Sequence, residues 1–434
     1  MNHQASDTLG KKPAEHPADI ADRLQQLTPD EAVSALRAMP HELAAHVLSE
    51  MDEDAAEAVA EKLEPVEAGA LLGDMENDEA ADIAAAFPRR KRKKILAQLD
   101  PAQSCRVEAL LKYPEDSAGG IMSDAFIALP LDGTVGQCQE LLRQRGEEDA
   151  ALPSYLYVTD RDGKLAGVIT MRDLIFRKPE RLVSEILRRD VKSVRVSEDR
   201  ETVARLFAQY HYLALPVLDT DNRLVGVVPA DEAINVIQQE ATEDMQLMVG
   251  LSGEEHAYTP WNKAISRRLP WLLINLATAF LAASVVGLFE STIAKWTTLA
   301  VFLPIIAGQG GNAGMQTLTV IIRAIALGEL TGTDARRALV KEIMLGFLNG
   351  LAIGIVVGVI GYFWKGNVTL GVIISVAMFL NMMAAALSGV LIPHMLRAVK
   401  IDPALASSIF LTTVTDVAGF FFFLGLGALA LHFT

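Results

Sequence analysis

Cysteine is scarce in this chain: Cys105 and Cys138 are the only two among 434 residues, which excludes a disulfide framework. The polar opening MNHQASDTLGKKPAEH has no apolar stretch of the kind a secretory signal needs, so a reduced, cytosolic N-terminal half is expected. Acidic groups become rare late in the chain. From Lys263 onward there are six (Glu290, Glu329, Asp334, Glu342, Asp402 and Asp416) against eleven Lys and Arg, a net +5, whereas the first 262 residues hold 28 basic and 48 acidic groups, a net −20. Such a negative field repels nucleic acid and attracts cations, which argues against nucleic-acid binding. No Ser/His/Asp, Cys/His or zinc-ligand spacing is visible, so an enzyme is not expected. At ~100–200 residues per domain, this length predicts two to four domains.

What the last third has is apolar length. Five segments reach the ~20 residues that cross a bilayer core: Leu269–Phe289, Trp296–Ile322, Met344–Trp364, Val368–Leu396 and Ala404–Leu431. Nine basic residues precede the first span or lie in the loops after the second and fourth; only Lys295 and Lys365 lie in the opposite loops. The positive-inside rule then puts the N-terminal half in the cytoplasm and the C-terminus outside a cell membrane crossed several times.

Asp416 stands mid-span in FLTTVTDVAGFFFF, while Glu290 and Glu342 sit at segment ends. An ionised carboxylate at that depth costs at least ~2.5–3.5 kcal/mol, so it is expected to face a partner, water or a cation. In the second span, LPIIAGQGGNAGMQT is expected to interrupt the helix and line a pathway, or to pack closely through its small residues. Asn381, in the fourth span, fits an interhelical hydrogen bond as well as a pore.

The N-terminal half is built of two repeats. Leu27, Met39, Met51, Leu63, Met75, Phe87 and Leu99 recur every twelve residues, several followed by helix-start signals; about seven helix-turn units should stack into a superhelix. The basic run Arg89–Lys94 fits a solvated helix face. Further on, YVTDRDGKLAGVITMRDLI lies over PVLDTDNRLVGVVPADEAI at an offset of 59, each copy reading strand, turn, strand, helix. These copies resemble cystathionine-β-synthase (CBS) modules, in which a Thr or Ser three residues before an Asp contacts a nucleotide. Thr170 and Asp173 fit; the second copy has Pro229 and Glu232 instead. The same spacing is also a common helix N-cap.

Taken in order, the twelve-residue repeats, the CBS pair, a connector and five spans with PIIAGQGGNAGMQT in the second and TTVTDV in the fifth resemble the MgtE family of magnesium channels from about residue 17 on. The resemblance implies a multidomain membrane protein: residues 1–16 disordered, 17–116 an all-α superhelical N domain, 117–178 and 179–240 an α/β CBS-domain pair, 241–268 a connecting helix, and 269–434 a five-helix α transmembrane pore domain. It implies a homodimer in the lipid bilayer whose pore holds hydrated Mg2+ at Asp416, near Asn312 and the backbone of Thr412, with Glu290 at the outer mouth. Cytosolic sensor positions would be Asp78, Asp82, Glu232, Glu240, Glu243 and Asp244, where bound Mg2+ closes the channel. An adenine nucleotide, ATP, would sit against Thr170, Arg172, Asp173 and Tyr212. The chain departs from the family in the second module, where the family has an acid before an aromatic and this chain has His211-Tyr212. Transport of other divalent ions such as Co2+ or Mn2+ is the alternative; a CBS-regulated anion channel fits Asp416 poorly.

Overall fold

The computed structural model describes residues 15–146, 155–253, 255–256, 259–330, 333–405 and 407–433; the disordered terminus expected at 1–16 falls outside these up to residue 14. The chain divides into two compact units, Met1–Gln238 and Gln239–Thr434.

The twelve-residue spacing becomes eight short helices, one more than the sequence pattern marks: α1 (Pro17–Leu24), α2 (Pro29–Arg37), α3 (His41–Ser49), α4 (Glu53–Lys62), α5 (Pro65–Gly73), α6 (Asn77–Ala85), α7 (Arg89–Leu96) and α8 (Pro101–Leu110). Their first residues fall every twelve positions. Proline opens α1, α2, α5 and α8, where its missing N–H costs nothing, and Pro40 and Pro88 stand just before α3 and α7. In α2 the Glu31 carboxylate reaches back to accept the Thr28 N–H at 3.0 Å. Helices pack on the second one along, α1 on α3, α2 on α4, α3 on α5, α5 on α7 and α6 on α8, which winds the array. Met51, Leu63, Met75, Phe87 and Leu99 are buried, while Leu27, in the terminal repeat, is 45% exposed. The basic run on α7 is only partly a solvated face: Lys91 Nζ donates to the carbonyls of Ala60 and Glu61 at the end of α4, and Arg92 to those of Ala85 and Phe87 at the end of α6.

The first α/β module comprises β1 (Ala128–Pro130), α9 (Val135–Gly146), β2 (Tyr155–Thr159), β3 (Leu165–Thr170), α10 (Met171–Phe176) and α11 (Val183–Ile186). The second comprises β4 (Val194–Arg195), α12 (Arg200–Tyr210), β5 (Ala214–Leu218), β6 (Leu224–Pro229) and the start of α13 (Ala230–Met248). Each sheet runs parallel then antiparallel, and the register keeps the offset of 59: Val158 faces Gly167 as Val217 faces Gly226. The hairpin turns are built alike. Asp160 accepts the N–H groups of Asp162 and Lys164, and Asp219 those of Asp221 and Arg223, at 2.8–2.9 Å. The left-handed position of each turn is held by Gly163 (φ 79°) and Asn222 (φ 62°), the residue types that tolerate it. One apolar core joins the helical array to the second module, running from Phe87 and Leu110 through Met122 to Val203 and Val217.

The second unit begins within α13 and continues with α14 (Trp261–Leu288), α15 (Glu290–Lys295), α16 (Thr298–Ala326), α17 (Thr333–Lys365), α18 (Val368–Ala398) and α19 (Ser407–Phe433). The connecting helix expected over 241–268 is divided: α13 runs on to Met248, and α14 starts at Trp261, directly after Pro260. Helices α14, α17, α18 and α19 are long and apolar enough to cross a membrane; α16 is equally long at 29 residues, with glycines and amides at its centre. Helix α18 is the hub, packed by α16, α17 and α19. Its apolar span is 56% buried against 6% for α14, so α14 offers its side chains outward, as a lipid-facing helix does.

Candidate functional site

In the membrane unit, α16 is continuous despite Pro304 and its glycines, contrary to the interruption the sequence predicts. Pro304 lies near the start of the helix, and the missing Cβ atoms are used for packing: a Cβ on Gly310 would stand 2.2 Å from Asn381 Nδ2. That space admits Asn381, which is fully buried and donates to the Ile306 carbonyl at 2.8 Å, so it is an interhelical hydrogen bond and not a pore group. The remaining α16 face, with Gly308, Asn312 and Gln316 one turn apart, is exposed. Gly311 adjoins it and faces α19: a Cβ placed on it would stand 3.9 Å from Thr415 Oγ1 and 4.0 Å from Thr412 Cγ2.

Asp416 follows directly on α19. It is half-buried and makes no hydrogen bond or ion pair among the described residues. The Thr412 carbonyl one turn earlier accepts the Thr415 hydroxyl at 3.1 Å in addition to its place in the backbone hydrogen-bond ladder of α19. Glu290 opens α15 and is exposed; its neighbour Phe289 packs edge-on against Phe421, about 8 Å along α19 from Asp416. Asn312 is thus next in sequence to the glycine that faces Thr412 and Thr415, and Glu290 stands on a separate helix. Glu342, at the edge of the apolar segment, stands inside the helix, because α17 starts at Thr333, and it is 5% exposed.

In the first unit, α6 carries Asp78 and Asp82 into the lining of a cavity of about 130 Å³ that also includes Arg92 and Glu115. Asp78 Oδ1 and Arg92 Nε are buried without a hydrogen-bond partner. Burial, and then the nearby Glu76 and Asp124, push the Asp78 carboxyl up to about 6. Burial likewise raises Glu232 of α13, with Asp78 and Asp231 adding to the effect. Asp124 accepts both hydrogen bonds of the Asn77 amide at 2.9 and 3.0 Å. Asp78, Asp124 and Glu232 therefore form one acidic neighbourhood inside the unit. Glu240, Glu243 and Asp244 share a face of α13 further along, in the second unit. Among the described residues, no group of three or more His, Cys, Asp or Glu side chains is arranged to hold a bare metal ion. Asp124, Glu76 and Glu79 join this neighbourhood without having been expected there; Glu76 and Glu79 flank Asp78 at the acidic start of α6, whereas Asp124 has no sequence pattern of its own.

In the first α/β module, Thr170 and Asp173 satisfy each other as a capping box: the hydroxyl donates to the carboxylate at 2.7 Å and accepts the Asp173 N–H at 3.2 Å. Arg172 is exposed. Tyr155 pairs with Thr170 across the hairpin. Tyr212 stacks on Tyr210 with centroids 5.6 Å apart, and burial together with Tyr210, Asp190 and Tyr155 raises its phenol above the ordinary value, which sets Tyr212 in the same neighbourhood as Thr170. His211 ends α12 in the left-handed conformation (φ 54°) and is exposed.

Three families match the chain: the divalent cation transporter MgtE over residues 303–426, the MgtE intracellular N domain over 15–116, and the CBS domain over 118–180 and 183–239. The magnesium transporter MgtE of Thermus thermophilus is 37% identical over 337 residues, 77% of this chain and 74% of its own. That of Bacillus subtilis is 29% identical over 427 residues, 95% of this chain and 94% of its own. A crystal structure of the cytosolic domain of the Mg2+ channel MgtE in complex with ATP is 34% identical and covers 51% of this chain and 91% of that chain, with a TM-score of 0.48.

Proposed function

Because the chain belongs to the MgtE family of magnesium transporters, we propose that it takes Mg2+ into the cell through a pore on the axis of a homodimer, governed by Mg2+ bound at cytosolic acids. The observation that carries this reading is Asp416: a carboxylate on an apolar helix, without a partner among the described residues, beside the exposed amide face of α16. Mg2+ dehydrates reluctantly and is usually held through one or two carboxylates with waters retained. Two Asp416 side chains about a dyad would attract the hydrated ion, Asn312 and the Thr412 carbonyl would accept hydrogen bonds from its waters, and Glu290 would gather ions at the outer mouth. A monovalent ion at the same distance gains about half the Coulomb energy. The basic loops support a cytoplasmic N-terminal unit and an outward C-terminus.

Gating follows from the acids. At low cytosolic Mg2+, Asp78, Glu232 and their neighbours repel; Mg2+ held there, with Asp82 and with Glu240, Glu243 and Asp244 on α13, favours a compact closed state if that state binds the ion better. ATP is assigned to the first module, with Tyr212 offering a ring for the base and Thr170, Arg172 and Asp173 polar groups for ribose and phosphate, in competition with the capping box.

The test is Mg2+ influx into proteoliposomes carrying wild type or Asp416→Ala, with the oligomeric state of each measured. Loss of flux with the dimer intact is expected, and wild-type flux from the variant overturns the pore assignment. Parallel arms with Co2+ and Mn2+ set the selectivity, and graded internal Mg2+ with and without ATP reads the regulation.

A further inference from the structure

Helices α16 and α17 both pack on α18 and scarcely touch each other, and the cleft left between them has a volume of about 160 Å³. Its base is Glu342, whose side chain is 6% exposed; its carboxylate accepts the Thr317 hydroxyl at 2.9 Å and lies 3.3 Å from Lys341 Nζ. Lys341 is 63% exposed and stands at the mouth. Gln316 and Asn349 add amide groups to the walls. Gln316 also belongs to the exposed amide face of α16, but the charged pair of the cleft, Lys341 and Glu342, stands on α17, a helix that carries none of the groups assigned to the pore.

We propose that this cleft binds the headgroup of a phospholipid that carries a primary amine. The charges decide the class of ligand. A lone cation reaching Glu342 would pass Lys341, and a lone anion drawn to Lys341 would meet Glu342. A zwitterion with an ammonium at one end and a phosphate at the other complements both, ammonium inward and phosphate at the mouth. The Glu342 carboxylate has acceptor capacity left after Thr317, and only an ammonium with N–H groups can use it. A quaternary ammonium cannot, and among the described residues lining the cleft there is no aromatic ring to hold one by cation–π attraction. The setting suits a lipid rather than a soluble headgroup. Val320 (50% exposed) and Leu345 (40% exposed) edge the cleft and offer apolar surface to acyl chains. Arg336, Arg337 and Lys341 mark the headgroup level at this end of α17.

The full-length protein in detergent is given equal amounts of phosphatidylethanolamine, its N-monomethyl and N,N-dimethyl forms and phosphatidylcholine, all with the same acyl chains, and retained lipid is read by native mass spectrometry. Retention is expected to fall with each methyl group, reaching about tenfold between the first and the last, the size of one charge-assisted hydrogen bond. Glu342→Gln should abolish the discrimination, and Lys341→Met should weaken all four lipids alike. Equal retention of the four by the wild type overturns the proposal and needs no variant to fold. Displacement of the lipid by soluble O-phosphoethanolamine at equal concentration overturns the lipid as occupant, and displacement by Mg2+ that depends on Glu342 assigns the cleft to a cation instead.

Discussion

Asp416 and Asp78 are both carboxylates drawn away from water, and their surroundings are opposite. Asp416 is the only acidic residue of its 27-residue helix, whereas Asp78 has Glu76, Asp124 and Glu232 within electrostatic reach. A solitary charge in an apolar helix, unpaired among the described residues, leaves its stabilisation to water, a proton or an incoming ion. A crowded charge is already opposed by its own fold, and any cation that enters relieves a strain present before it came. The first arrangement suits passage of an ion; the second suits detection, because the relief is transmitted to the elements that carry the acids.

This contrast is sharpest under neutralisation. Asp416→Asn is expected to lower Mg2+ flux by about a hundredfold or more at every cytosolic Mg2+ concentration, while Asp78→Asn with Glu232→Gln leaves flux at low Mg2+ unchanged. Equal losses from both would erase the distinction between passage and detection. The next effect concerns inhibition: the Asp78/Glu232 double variant should need about tenfold more cytosolic Mg2+ to close, a population shift of roughly 1.4 kcal/mol, read by flux against internal Mg2+. A smaller effect is expected from pH. A carboxyl with its folded pKa raised from 3.8 to about 6 holds its proton more tightly when folded. Metal-free stability should therefore fall as pH rises through that window, by about 1–2 kcal/mol after allowance for partial exposure. Hydrogen-exchange protection of α6 in the full-length chain, taken relative to the intrinsic exchange rate at each pH, should be greater at pH 4.5 than at pH 7 without Mg2+, and Asp78→Asn should flatten the difference. The smallest effect lies away from both sites: Thr170→Ala removes a helix cap, about 1 kcal/mol. If ATP binding persists in that variant, the capping box is the whole role of Thr170.

Period was the most legible part of the fold. The twelve-residue array and the offset of 59 are visible because each repeat buries the same positions, and the register from Val158 to Gly167 reappears from Val217 to Gly226. Asp416 was legible for the opposite reason, since one acid in an apolar run needs no alignment to be seen. Asp124 was not, because it meets α6 through the tertiary fold from 47 residues away and resembles any surface acid in the sequence. The burial of Glu342 was not legible because hydropathy marks where apolar sequence begins, not where the helix does, and α17 begins before its apolar stretch. The glycines of α16 could not be sorted by composition: Gly310 makes room for Asn381, and Gly308 faces open space.

The helical array has one further property. Since each helix rests on the second one along and every unit has the same length, the arm behaves as a stack of interchangeable tiles. Excising or inserting a whole tile would preserve the mating surfaces and change only the reach, whereas a change of one residue would turn every later tile out of phase. The reach of this arm is thus quantised, and drift in its length is tolerable only in steps of a complete turn-and-helix unit.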